Sequence, residues 1–219
     1  MGTYPPPWDQ RLVRDNRVVL AAATSTLAFV TFTGWWLIDG GAGLDHVMLR
    51  FTGRLLRGVL DIVISDSWPL GEPQVAVSVV GVVAALLASR RRFRAAAVVV
   101  GGFLVLSGVQ LVIVLVLAEI RHVSLNIDAL SHLYPSGHTA RVPFLGTTLA
   151  LIAPSGARGW VLAITAVLSV ALALDRTDST IQTGSVVVGG LLLGIAVSTW
   201  FALVYSRWVG SRHDAITAR

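Results

Sequence analysis

The stretch AAAVVVGGFLVLSGVQLVIVLVLA, residues 95–118, runs for 24 residues without a charge. Roughly 20 apolar residues at about 1.5 Å per residue cross a hydrocarbon core, so this stretch predicts a transmembrane helix. Three other stretches have the same character: Val18–Ile38, Pro73–Ser89 and Ser185–Ser206. Two weaker ones, Val142–Ala153 and Gly159–Leu174, do not span unaided; the first reaches spanning length if Pro135–Arg141 extends it. The pattern predicts an all-α polytopic membrane protein with six transmembrane helices. A tail over 1–17 and another over 207–219 flank a membrane domain over 18–206.

Composition agrees. Hydrophobic residues make up 54% of the 219, and only 13% are charged, against about 25% in an average soluble domain. All 17 basic residues are arginine, and cysteine is absent. Disulfides, iron–sulfur clusters and thiolate metal sites are thereby excluded. An arginine-rich, lysine-free chain points to a high-GC bacterium. The first apolar block exceeds the core of a signal peptide and reads as a retained anchor.

Six crossings leave seven tails and loops, and alternate ones share a side. The tails, Arg90–Arg94 and Arg158 form one set, with eleven arginines and three acids for a net +8. The other set carries six arginines and nine acids, net −3, and the two balances sum to +5. Arginine is retained on the cytoplasmic side, so both termini are expected inside the plasma (inner) membrane. The basic balance therefore reports topology. It does not describe a nucleic-acid surface, since no basic patch is interleaved with aromatics.

The first outer segment, 39–72, repeats Leu44, Met48, Phe51, Leu55, Val59 and Ile62 on one helical face, with Arg50, Arg54, Arg57 and Asp61 opposite. It reads as an amphipathic helix in the membrane interface, its arginines solvated or touching lipid phosphates. The second, 119–141, contains His122, His132 and His138 around Tyr134-Pro135-Ser136-Gly137-His138-Thr139. Proline followed by small and hydroxyl residues starts a helix. Backbone N–H groups at 136–138 would then suit a phosphate, with the His138 imidazole as proton donor or acceptor. Arg176, in the third outer segment, offers a guanidinium fork to the same anion.

Pro135-Ser136-Gly137-His138 at the outer end of a fourth helix resembles the second motif of the type 2 phosphatidic acid phosphatase superfamily, whose members dephosphorylate lipid phosphates and undecaprenyl diphosphate. The six-helix layout, the amphipathic segment after helix one and the order of outer segments extend the resemblance over most of the chain. In that family one histidine attacks phosphorus, an aspartate orients it, and the motif histidine protonates the leaving oxygen. A lysine, two arginines and the Ser-Gly segment hold the phosphoryl oxygens.

The resemblance places phosphate-binding roles on Arg121, Ser136, Gly137 and Arg176, and an acid/base role on His138. The family lysine falls at Val114, the nucleophile at Gln182 and its carboxylate at Val186. None of these can do the family's chemistry: an amide has no basic lone pair, and valine has no polar group. The resemblance thus implies a catalytically impaired relative that binds a phosphorylated lipid or serves as accessory subunit of a membrane complex, without a cofactor. The alternative is an active phosphatase with His122 or His132 as a substitute nucleophile. A metal site from His122, Asp128, His132 and His138 matches no established ligand spacing.

Overall fold

The computed structural model describes residues 7–55, 68–120, 122, 133–178 and 182–210, with side chains of the first helix described from Asn16. Among the described residues seven α-helices follow one another: α1 (Pro7–Asp39), α2 (Ala42–Leu55), α3 (Pro73–Ser89), α4 (Phe93–Ile120), α5 (Gly137–Ile152), α6 (Ser155–Asp178) and α7 (Gly184–Gly210). A short 3-10 helix, Trp68–Gly71, leads into α3. No strand occurs among the described residues. Each of the six apolar blocks lies mainly within one helix.

Four of these helices are long and apolar enough to cross a membrane: α1 from Asn16, α4, α6 and α7. The other two are shorter. α3 has 17 residues and α5 has 16, roughly 25 Å each at 1.5 Å per residue. The weak signal of α5 has a physical cause. It lies inside the bundle, against α7, α6, α4, α3 and the 3-10 helix, and most of its residues are buried. A helix enclosed by protein has no need of a uniformly apolar surface. α1 shows the converse, with only 11% of its crossing stretch buried against 56% for α7.

Small residues bring the helices together, as expected where lipid competes equally for apolar surface. A Cβ on Gly190 would strike the Ser136 carbonyl and Thr139 Oγ1, and one on Gly194 would strike the Ala140 carbonyl. α5 and α7 therefore run parallel in close contact. Gly146 receives Thr165 of α6 in the same way. Phe103, Phe144, Phe201 and Tyr205 form a column of tilted rings joining α4, α5 and α7, with centroids 5.0–6.2 Å apart. α1 runs antiparallel to α7 and adds polar links: Ser25 Oγ to Thr199 Oγ1 at 3.0 Å and Trp200 Nε1 to Thr26 Oγ1 at 2.9 Å.

These pairings fix two ends. One gathers the starts of α3, α5 and α7 with the ends of α1, α4 and α6. The other gathers the α3–α4 hairpin, the α5–α6 turn and the end of α7. The two charge sets of the sequence fall at opposite ends wherever their residues are described.

α2 turns Met48 and Thr52 toward the protein, with Thr52 fully buried, and leaves Phe51 57% exposed. Asp45 fixes this facing. Its Oδ1 accepts the Ser185 N–H at 2.7 Å and so caps the first turn of α7, a strong carboxylate-to-helix-start bond. Met48 fills the space over Gly184. Leu55's side chain and residues 57–62 of that pattern lie outside the described part.

Candidate functional site

The motif forms the start of α5. Ser136 is its N-cap, with φ −60° and ψ 118°, and its Oγ accepts the Thr139 N–H at 3.4 Å. The expected helix start at the proline–serine step is thus observed. The environment is more enclosed than an open anion cradle. Ser136 is fully buried, and its own N–H donates to the Val186 carbonyl at 3.1 Å. Its hydroxyl donates to Gln182 Oε1 at 2.6 Å. Thr139 Oγ1 donates to the Val187 carbonyl at 3.0 Å. The motif turn is therefore fastened to the first turn of α7, and Gly190 permits the approach.

Aromatic and glycine contacts hold the turn from behind. Tyr134 stacks on Trp36 at 4.3 Å and 15°, and its hydroxyl meets Thr33 Oγ1 at 2.6 Å. Gly189 has no side chain because the Tyr134 ring occupies that space. Gly137 is small for a different reason: the carboxamide of Gln110, from α4, fills the position a Cβ would take. Trp36 Nε1 donates to Ser185 Oγ at 3.2 Å, which ties α1 to the same corner.

The charged part lies on the adjacent face. His138 Nε2 is 3.3 Å from Glu72 Oε1. Glu72 is the N-cap of α3, directly before Pro73. Arg141, one turn beyond His138, donates from Nη1 to the Gly71 carbonyl at 2.8 Å. Gly71 rests on the His138 backbone, too close for any Cβ. Arg176, in the last turn of α6, is 6% exposed. Its charge reaches His138: burial, then the Arg176 charge, hold the imidazole pKa below its ordinary value, while Glu72 opposes them. Among the described residues two guanidinium groups, one carboxylate and a histidine biased towards neutrality meet here; guanidinium groups can hydrogen-bond an anion, and the imidazole can accept or donate a proton.

Of the residues singled out in the sequence, the structure brings together Ser136, Gly137, His138, Arg176, Gln182 and Val186. Gln182 is 4% exposed, and its N–H donates to the Arg176 carbonyl at 3.2 Å. Val114 is buried in α4. His122 lies two residues past the end of α4, with a positive φ of 52°, and is exposed; none of the contacts above involves it. Arg121, Asp128 and His132 lie outside the described residues. Among the described residues no three metal-ligating side chains converge.

Glu72, Arg141 and Gln110 were missed. Gln110 carried a usable signal, a carboxamide within an otherwise apolar span. Glu72 and Arg141 carried none, since only the docking of the 3-10 helix on α5 joins them. No protein-family model, curated protein or solved structure matches the chain.

Proposed function

We propose that this is a six-helix membrane protein related to the type 2 phosphatidic acid phosphatases, in which the phosphate pocket persists and the phosphohistidine chemistry is lost. It holds the phosphorylated headgroup of a lipid at the outer face of the plasma membrane, alone or as accessory subunit of a larger membrane complex. The observation that carries this reading is the 2.6 Å bond from Ser136 to Gln182. Gln182 stands where the family's third motif would put its nucleophile, and it faces the motif serine. Val186, at the carboxylate position, contributes only its backbone oxygen to Ser136. The protein positions a phosphate without a group to attack it, and Arg141, Arg176 and His138 supply the attraction.

Four long apolar helices support insertion in a membrane, and α3 and α5 complete six crossings in this reading. The arginine-rich end is cytoplasmic. Single cysteines at Ser155 and Thr183, which are exposed at opposite ends, test that. Reagent applied to intact cells should label Thr183→Cys and spare Ser155→Cys.

The functional test uses purified protein with phosphatidate and polyprenyl diphosphate. We expect no phosphate release, together with thermal stabilisation by short-chain phosphatidate that Arg176→Gln removes. Gln182→His with Val186→Asp, then Val114→Lys, should restore turnover if the register is right. A lost nucleophile commonly removes several orders of magnitude in rate.

One contact favours a second reading, an active phosphatase. Glu72 gives His138 an orienting carboxylate, so His138 itself becomes the nucleophile. Phosphate release by the unmodified protein, abolished in His138→Ala and reduced in Glu72→Gln, would establish that reading in place of the first.

A further inference from the structure

The Gln110 carboxamide, beside the motif, makes no hydrogen bond among the described residues. With Ser107 it is one of two polar residues in the 24-residue apolar run of α4. Ten residues of α4, about 15 Å, lie beyond it toward Ile120. Leu106 and Val114, one turn to either side on the same face, are 1% and 3% exposed. That face is packed inward. Gln110 lies between them and is only half-buried, so the packing opens at its carboxamide. The opening adjoins the motif: the carboxamide rests against Gly137, in the space a Cβ would fill.

The polar groups nearby are already engaged: Ser136 with Gln182, His138 with Glu72, and Arg141 with the Gly71 carbonyl. A primary amide within a membrane span is costly while its donors and acceptor stay unpaired, and polar residues at such depth mark ligand sites and paths. The partner of Gln110 is then a group that arrives with the ligand. Its neighbours on α4, Leu106, Val109, Leu111, Ile113 and Val114, are all apolar, so the fitting acceptor is uncharged. Phosphate oxygens belong with the guanidinium groups; a carbonyl suits the amide. A diacylglycerol phosphate carries ester carbonyls a few bonds from its phosphate. A prenyl phosphate carries only hydrocarbon there.

We propose that Gln110 is a specificity-determining residue that donates a carboxamide N–H to an ester carbonyl of the bound lipid, so that the site takes diacylglycerol phosphates in preference to prenyl phosphates. This selectivity rests on the lipid-binding reading of the motif end. It adds a group outside the charged cluster, and a choice between lipid classes that arginines do not make, since they grip any phosphate. A site built to hydrogen-bond one group rejects the analogue that lacks it, because its own polar atom is left unpaired.

The test titrates three lipids, separately, into the full-length protein in an uncharged detergent: dihexanoyl phosphatidate, its dihexyl ether counterpart, which lacks only the carbonyls, and farnesyl phosphate. Phosphatidate should bind roughly tenfold more tightly than the other two, a comparison that needs no variant to fold. Gln110→Leu should erase that preference by weakening phosphatidate alone, with the ether lipid and farnesyl phosphate unchanged. Arg176→Gln should weaken all three together. An equal loss for all three lipids in Gln110→Leu would assign Gln110 to packing and overturn the proposal. Equal affinities for the ester and ether lipids in the unmodified protein would overturn it and leave the lipid-binding reading of the motif standing. Binding of none of the three would end both.

Discussion

The two ends of the bundle use arginine in opposite ways. At the motif end Arg141 and Arg176 are drawn inward, one bonded to the Gly71 carbonyl and the other 6% exposed beside the His138 turn. At the other end Arg90, Arg91, Arg92, Arg94, Arg158 and Arg207 stand outward. The difference is one of partners. The motif end supplies a carboxylate, backbone carbonyls and an imidazole within a packed corner, so a charge can be held there. Among its described side chains the other end supplies no acid, and its arginines stand exposed. Burial of the first kind specifies geometry; exposure of the second kind leaves charge available.

Matched substitutions at the two ends should sharpen that contrast. The largest effect is expected from Gly190→Val, which would push the Ser136 carbonyl and Thr139 off α7. Overpacking of this kind costs about 3 kcal/mol or more, read as a lower midpoint of thermal unfolding in detergent. Gly159→Val at the other end meets nothing within 4 Å and should be neutral or stabilising, because valine is the better helix former. Equal damage from both would show that the α5–α7 approach is not special.

Next comes Arg141→Ala. It removes the donor to Gly71 and leaves Glu72 with one fewer cation, for about 2 kcal/mol. Arg94→Ala, at an exposed site, should change stability by less than about 0.5 kcal/mol. Ser136→Ala follows at about 1 kcal/mol, through the lost bond to Gln182 and the lost cap. Its counterpart Ser89→Ala gives up only an exposed bond to the Leu86 carbonyl and should fall within experimental error. Melting curves of the two pairs, measured side by side, decide whether the ends differ as described.

The smallest effect is in pH. Burial, and after it Arg176, lower the His138 pKa from its ordinary value near 6.5, with Glu72 opposing. The unfolded chain then takes up a proton that the folded one resists. Stability is complete above the ordinary value and declines as pH falls through the window just beneath it. His138→Gln should flatten that decline, and Glu72→Gln should steepen it by removing the one group that favours the charged imidazole. A profile between pH 7.5 and 5.5 that is identical in all three proteins would show that His138 does not feel its neighbours.

The sequence by itself determined the helical class, the positions of the helices, the start of α5 at Ser136 and the division of charge between two ends. Hydrophobic blocks, a proline–serine helix start and charge between blocks are properties of neighbouring residues, legible without a partner. The resemblance to the phosphatase family added one expectation, that Ser136, His138, Gln182 and Arg176 share a site. Only the tertiary structure decided that Glu72 and Arg141 join them, and that Asp45 anchors α2 with Thr52 inward and Phe51 outward. It also decided that α5, weak in hydropathy, is the most enclosed of the six longer-block helices. Each of those outcomes depends on residues far apart in the chain meeting through small-residue contacts and hydrogen bonds, and such meetings leave no periodic trace in the sequence.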